Sequence, residues 1–104
     1  MTLEQFRATL ELASAPERLS PALQAMWEDA KGHWEAAHHI AQDIGDQTGS
    51  WIHAYLHRKE GDLGNAGYWY RRAGRAVAQD ALDEEWARIV LSLLGPGPAI
   101  LDDK

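Results

Sequence analysis

The fold is decided by SWIHAYLHRKEGDLGNAGYWYRRAGR, residues 50–75. Ile52, Ala54, Tyr55 and Leu56 supply apolar positions up to Lys59, Gly61-Asp62 interrupts, and Ala66, Trp69, Tyr70, Ala73 and Val77 resume at i, i+3, i+4, i+7 and i+11. Apolar residues at that period form one stripe along a helix. The stretch therefore reads as a helix over 50–59 with Ser50 as N-cap, a tight turn, and a second helix with Arg71, Arg72 and Arg75 off its apolar face. Gly64 and Gly67 would each cost about 1 kcal/mol in a helix interior. They are expected in the first turn or where another helix approaches closely.

The same periodicity extends in both directions. Leu3, Phe6 and Leu10 predict a helix over 2–13, and Leu23, Met26, Trp27 and Ala30 a second, starting between Pro16 and Pro21 and capped by Gly32. Trp34, Ala37, Ala41 and Ile44 predict a third, ending at Gly45. A last helix over 83–94 has Asp83, Glu84 and Glu85 at its dipole-favoured start and Trp86, Ile89, Val90, Leu93 and Leu94 as its apolar side. No β-type alternation competes. The expectation is an all-α domain of five or six short antiparallel helices over 1–95, followed by a Gly/Pro-initiated tail over 96–104.

Composition narrows the chemistry. The 104 residues are 45% hydrophobic and 25% charged, which suits one globular core. Five Trp and three Tyr point to a well-filled small core or to burial at a subunit interface. Cysteine is absent, which removes disulfides, thiol catalysis and thiolate metal sites, so a metal would need imidazole and carboxylate. Glu4, Arg7 and Glu11 break any leader-like apolar run, and a cytoplasmic protein with no membrane association is expected.

The net charge of −6 is unevenly spread. Residues 57–75 carry five Lys/Arg against two Asp/Glu, between segments with three against eight and two against six. The arginines of this basic island are expected to pair with the acidic flanks rather than form an anion site.

KGHWEAAHHIAQDI and EGDLGNAGYWYRRA superpose at a shift of 29, matching Gly32 to Gly61, Ala37 to Ala66, Ala41 to Tyr70 and Ile44 to Ala73. A repeat of that length suits stacked helical hairpins. EGDLGNAGYWYRRAG resembles the turn and second helix of a tetratricopeptide-superfamily repeat of the Sel-like kind, through Ala66, Tyr70 and Ala73 and the W-Y-x-x-A run at 69–73. The resemblance covers roughly 20–80. In the preceding helix only Ala54 agrees with the family pattern; Ser50, His53 and His57 stand at its other positions. With fewer than three repeats, the array would be closed by its terminal helices or by a homodimer partner.

The resemblance implies a non-enzymatic interaction domain that binds a protein or peptide, or its own copy, through the first helix of each hairpin. That puts Gln24, Trp27, Lys31, Trp51, Tyr55, Arg58 and Lys59 in a binding groove, with an acidic peptide suited to its cations. The run YWYRRAGR could stack single-stranded nucleic acid, but the acidic total opposes it.

The histidines are what packing leaves over. His53 and His57 lie four apart on one helical face, with Glu60 a turn further on, and His38 and His39 lie on the helix they would pack against. One reading is half-buried imidazoles filling a seam; the other is a divalent-metal site completed by His38, His39, Asp43 or Glu60 and suited to zinc, nickel or iron. General acid/base chemistry is a third reading, with no zinc-protease H-E-x-x-H to support it. His33 is expected to be an exposed cap. No phosphate-binding glycine loop, dinucleotide fingerprint or nucleophile elbow is present, so no other cofactor is expected.

Overall fold

The computed structural model describes residues 1–95. These form six helices and no strand: α1 Leu3–Ala8, α2 Pro21–Ala30, α3 Trp34–Gln42, α4 Gln47–Glu60, α5 Leu63–Ala73 and α6 Leu82–Leu94, with a single 3-10 turn at Thr9–Glu11 after α1. The domain is all-α. The expected tail, 96–104, lies outside the described residues.

Short connections make two hairpins, α2–α3 and α4–α5, which meet through α3 and α4. α6 packs on α1, α2 and α4 and closes the pair. One core runs through Phe6, Met26, Trp27, Ile52, Leu56, Tyr70, Ile89 and Val90. The two hairpin turns have the same local conformation. Gly32 (φ 87°) and Gly61 (φ 91°) are both left-handed, and the residues after them, His33 and Asp62, have φ/ψ of −100°/68° and −89°/78°. Each is closed by matching backbone bonds, His33 N–H to Glu28 O and Asp62 N–H to His57 O, both 2.9 Å. Glycine is required there because a side chain at positive φ is strained.

Several helix ends differ from expectation, each because a local group decides the boundary. α1 turns 3-10 at Thr9 and stops at Glu11, where 13 was expected. α2 starts at Pro21, with the Ser20 side chain accepting from Leu23 N–H. α3 stops at Gln42, so Ile44 is outside it. α4 starts three residues before Ser50, because Asp46 accepts from Gly49 N–H and serves as N-cap; Ser50 is buried inside the helix. α5 ends at Ala73 because Gly74 takes φ 71°, which leaves Val77 off the helix and half exposed. α6 starts one residue earlier than read, at Leu82. Gly64 lies in the first turn of α5, one of the two places expected for it, and faces open space; Gly67 lies further in without a close neighbour, and the close approach is at Gly49, which faces the Ile44 backbone.

Two carboxylates are buried under α4. Glu85 accepts from Trp51 Nε1 (3.1 Å), the Tyr70 hydroxyl (2.7 Å) and Arg58 Nη1 (2.8 Å), while Arg58 Nη2 donates to Asp80 O. Asp29 accepts from the Tyr55 hydroxyl (2.8 Å) and Lys59 Nζ (2.9 Å). Burial, then the neighbouring carboxylate, pushes both tyrosines well above the usual phenol range. A buried charge is tolerated only when paired and hydrogen-bonded in this way.

These contacts correct the expected groove. Trp27, Trp51 and Tyr55 are buried, and Trp27 Nε1 donates to Thr9 O. Lys31 Nζ donates to Leu10 O and Leu12 O, Gln24 Nε2 to Leu19 O, and Arg58 and Lys59 are held by Glu85 and Asp29. The chain's own α1 segment and α6 cover much of the face that α2 and α4 share, leaving an open cavity of about 430 Å³ lined by Arg7, Glu11, Asp29, Tyr55, Lys59 and Asp83. The basic island also behaves only partly as expected. Arg58 pairs with an acidic residue, whereas Arg72 lies over Tyr68 and Trp69 and Arg75 lies 3.4 Å from the Trp51 ring centroid.

Candidate metal centre

His53 and His57 are one turn apart on the buried middle of α4, and the face they share looks onto α3, which supplies His38. Nε2 of His38 lies 2.9 Å from Nε2 of His53. One of those nitrogens must carry a proton and donate to the other, so both rings are neutral or share a single charge. One nitrogen from each of the three imidazoles falls within 4.8 Å of the others.

The remaining ring positions are held from outside. His57 Nδ1 is 2.7 Å from Glu60 Oε2, three residues on, so Nδ1 carries the proton it donates, and in the neutral ring Nε2 is the lone pair. Asn65 Nδ2 is 3.4 Å from that Nε2. Two tryptophans stack on the other rings, Trp34 on His38 (centroids 4.9 Å, 10° between planes) and Trp69 on His53 (3.9 Å, 9°). Trp34 is anchored by its Nε1, which donates to Leu56 O.

This surrounding explains the protonation. Burial, then the positive charges that His38 and His57 would carry, holds the His53 imidazole down at about 4; burial, then His57, lowers His38. Neutral imidazole is the form that binds a metal.

A stability prediction follows for the metal-free protein. The unfolded chain protonates His53 near 6.5 and the fold does not until about 4, so the unfolded state binds more protons in that window. Stability is full above pH 6.5 and falls as the pH drops toward 4, with His53 accounting for on the order of 3 kcal/mol. Urea unfolding at pH 7 and pH 4.5 reads this directly. A His53→Phe variant, which keeps a ring against Trp69, should lose that part of the slope; equal slopes for the two proteins would refute the assignment.

Of the residues singled out in the sequence, His38, His53 and His57 come together and Glu60 supports them. His39 does not join them: it is exposed, with Gln42 Nε2 3.5 Å from its Nδ1. Asp43 is also exposed, at the C-cap of α3. His33, half exposed at the start of α3, is 2.7 Å from Glu28. His57, Glu60 and Asp62 form a second convergent set, but Glu60 is already on His57 Nδ1 and both carboxylates are exposed. Trp34, Asn65 and Trp69 were not anticipated around the site. For Asn65 a signal was available, since eight residues after His57, across a capped Gly-Asp turn, brings the first turn of α5 back over the end of α4.

The aromatic run is divided rather than aligned. Tyr68 is exposed, Trp69 stacks on His53 and Tyr70 is buried on Glu85, so the three rings form no common platform. No helix of the described residues is long and apolar enough to cross a membrane. Compared with protein-family models, with curated proteins and with solved structures, the chain matches none.

Proposed function

We propose that this chain is a small helical metal-binding protein holding a divalent ion on His38, His53 and His57. The carrying observation is that one nitrogen of each imidazole lies within 4.8 Å of the others, with a carboxylate on the far nitrogen of His57. Nitrogens bound to zinc at about 2.0 Å in a tetrahedron are about 3.3 Å apart, so small side-chain adjustments suffice. Carboxylate support behind a ligating histidine is the usual arrangement at such centres. The absence of sulfur and of a direct carboxylate favours zinc, nickel or another borderline ion over calcium or magnesium.

The test is elemental analysis of tag-free protein purified without chelators, beside a His53→Ala, His57→Ala double variant. Near-stoichiometric metal in the parent and none in the variant is expected. Added ion at a hundred times its Kd should stabilise the parent by about 2.7 kcal/mol, a rise of roughly 10 °C in Tm. Metal-free parent protein whose Tm ignores zinc, nickel and cobalt would end this reading.

A second reading keeps the helical-repeat scaffold that binds a protein, a peptide or its own copy. The matched turns at Gly32 and Gly61 favour it, as does the resemblance of residues 60–74 to a tetratricopeptide-type repeat. On the α2–α4 side a partner would have the cavity lined in part by Asp29, Tyr55 and Lys59, narrowed by α1 and α6. A cytoplasmic location belongs with either reading.

A further inference from the structure

We infer that the metal keeps a fourth, exchangeable position that takes a small anion, with the Asn65 side-chain amide as its hydrogen-bond donor. The inference rests on the metal-binding reading above and asks what completes that centre.

Charge is the first argument. Three neutral imidazoles leave a dication uncompensated by any direct ligand. Of the two carboxylates close to His57, Glu60 is committed to His57 Nδ1, 2.7 Å away, and Asp62 caps α5 by accepting from Asn65 N–H. Three histidines plus an exchangeable oxygen ligand is a common form of open zinc centre, and the bound water there is readily ionised. An anionic fourth ligand balances the charge.

Geometry is the second. Asn65 Nδ2 lies 3.4 Å from His57 Nε2, and its other neighbour is Asp62 Oδ2 at 3.5 Å. An ion that takes the His57 lone pair displaces that N–H from its acceptor and leaves the Asn65 amide at the edge of the site. An anion on the fourth position replaces the lost acceptor. Asn65 is itself exposed at the start of α5, so the position opens to solvent, whereas His53 and His57 are buried behind it.

The experiment uses cobalt as a visible probe and azide as the anion. Cobalt-loaded full-length protein should show the intense visible bands of a four-coordinate centre, and azide should shift them with saturation. Asn65→Ala should bind cobalt within about threefold of the parent but azide about tenfold more weakly. Asn65→Asp, with an acceptor and a negative charge in place of the donor, should bind azide more weakly still. Two results would overturn the inference while leaving the metal site standing: bands that ignore azide in the parent, or equal azide affinity in the parent and Asn65→Ala. Azide binding that appears only in Asn65→Ala would also overturn it, by making Asn65 the fourth ligand. No cobalt bands at all would instead remove the metal reading on which it rests.

Discussion

Glu85→Ala is expected to cost 3–5 kcal/mol, the usual range when one partner of a buried ion pair is removed. The domain has a net stability of the order of 5–15 kcal/mol, so the loss would lower its urea midpoint severely or unfold it. The reason is what stays behind. Arg58, the Tyr70 hydroxyl and Trp51 Nε1 all point at the Glu85 carboxylate, which is wholly buried, and each would lose its acceptor. Glu85→Gln should fall between the two, since an amide oxygen still accepts from Tyr70 but leaves the guanidinium charge uncompensated. Replacing both charges, as Arg58→Met with Glu85→Leu, should recover part of the loss, because an apolar pair strands no charge. Circular dichroism at 222 nm through a urea series measures all four. A Glu85→Ala protein within about 1 kcal/mol of the parent would mean that the network contributes little to stability.

Gly49→Ala is expected to cost about 3 kcal/mol, the upper end for forced overpacking. Gly49 sits in the first turn of α4, and a Cβ there would collide with the Ile44 carbonyl oxygen and meet Ile44 Cβ at 2.8 Å. The obstacle is largely backbone, so it does not rotate away. Relief requires moving the 43–46 connection, which loosens the Asp46 cap and shifts α3, carrying His38, against α4. Gly64→Ala is the control: nothing lies within 4 Å of the added atom, and helix propensity makes that change neutral or stabilising by up to about 1 kcal/mol. Equal midpoints for the two variants would contradict the steric account.

The all-α class and most of the helices were legible in the sequence because apolar spacing reports helices directly. Helix ends were less so. Asp46 outcompetes Ser50 as a cap, and the glycine that ends α5 lies inside an apolar stripe whose spacing runs on to Val77. The groove residues were misplaced for a different reason. Trp27, Trp51 and Tyr55 stand where a longer repeat array would present them, but spacing along α2 and α4 does not tell whether a partner or the chain's own α6 covers them. At the candidate site, His53 and His57 were legible from their interval of four. Choosing His38 over its neighbour His39 depended on the rotation of α3, which a one-residue change in register reverses.

The five tryptophans fall into two sets. Trp27, Trp51 and Trp86 are buried with their indole N–H groups bonded, while Trp34 and Trp69 lie flat on His38 and His53. An open-shell ion among those imidazoles would sit close enough to Trp34 and Trp69 to quench their fluorescence, whereas closed-shell zinc would leave it bright. The protein thus carries a native optical probe of the proposed centre, and the partial dimming of its emission on adding copper would count occupied sites without a label.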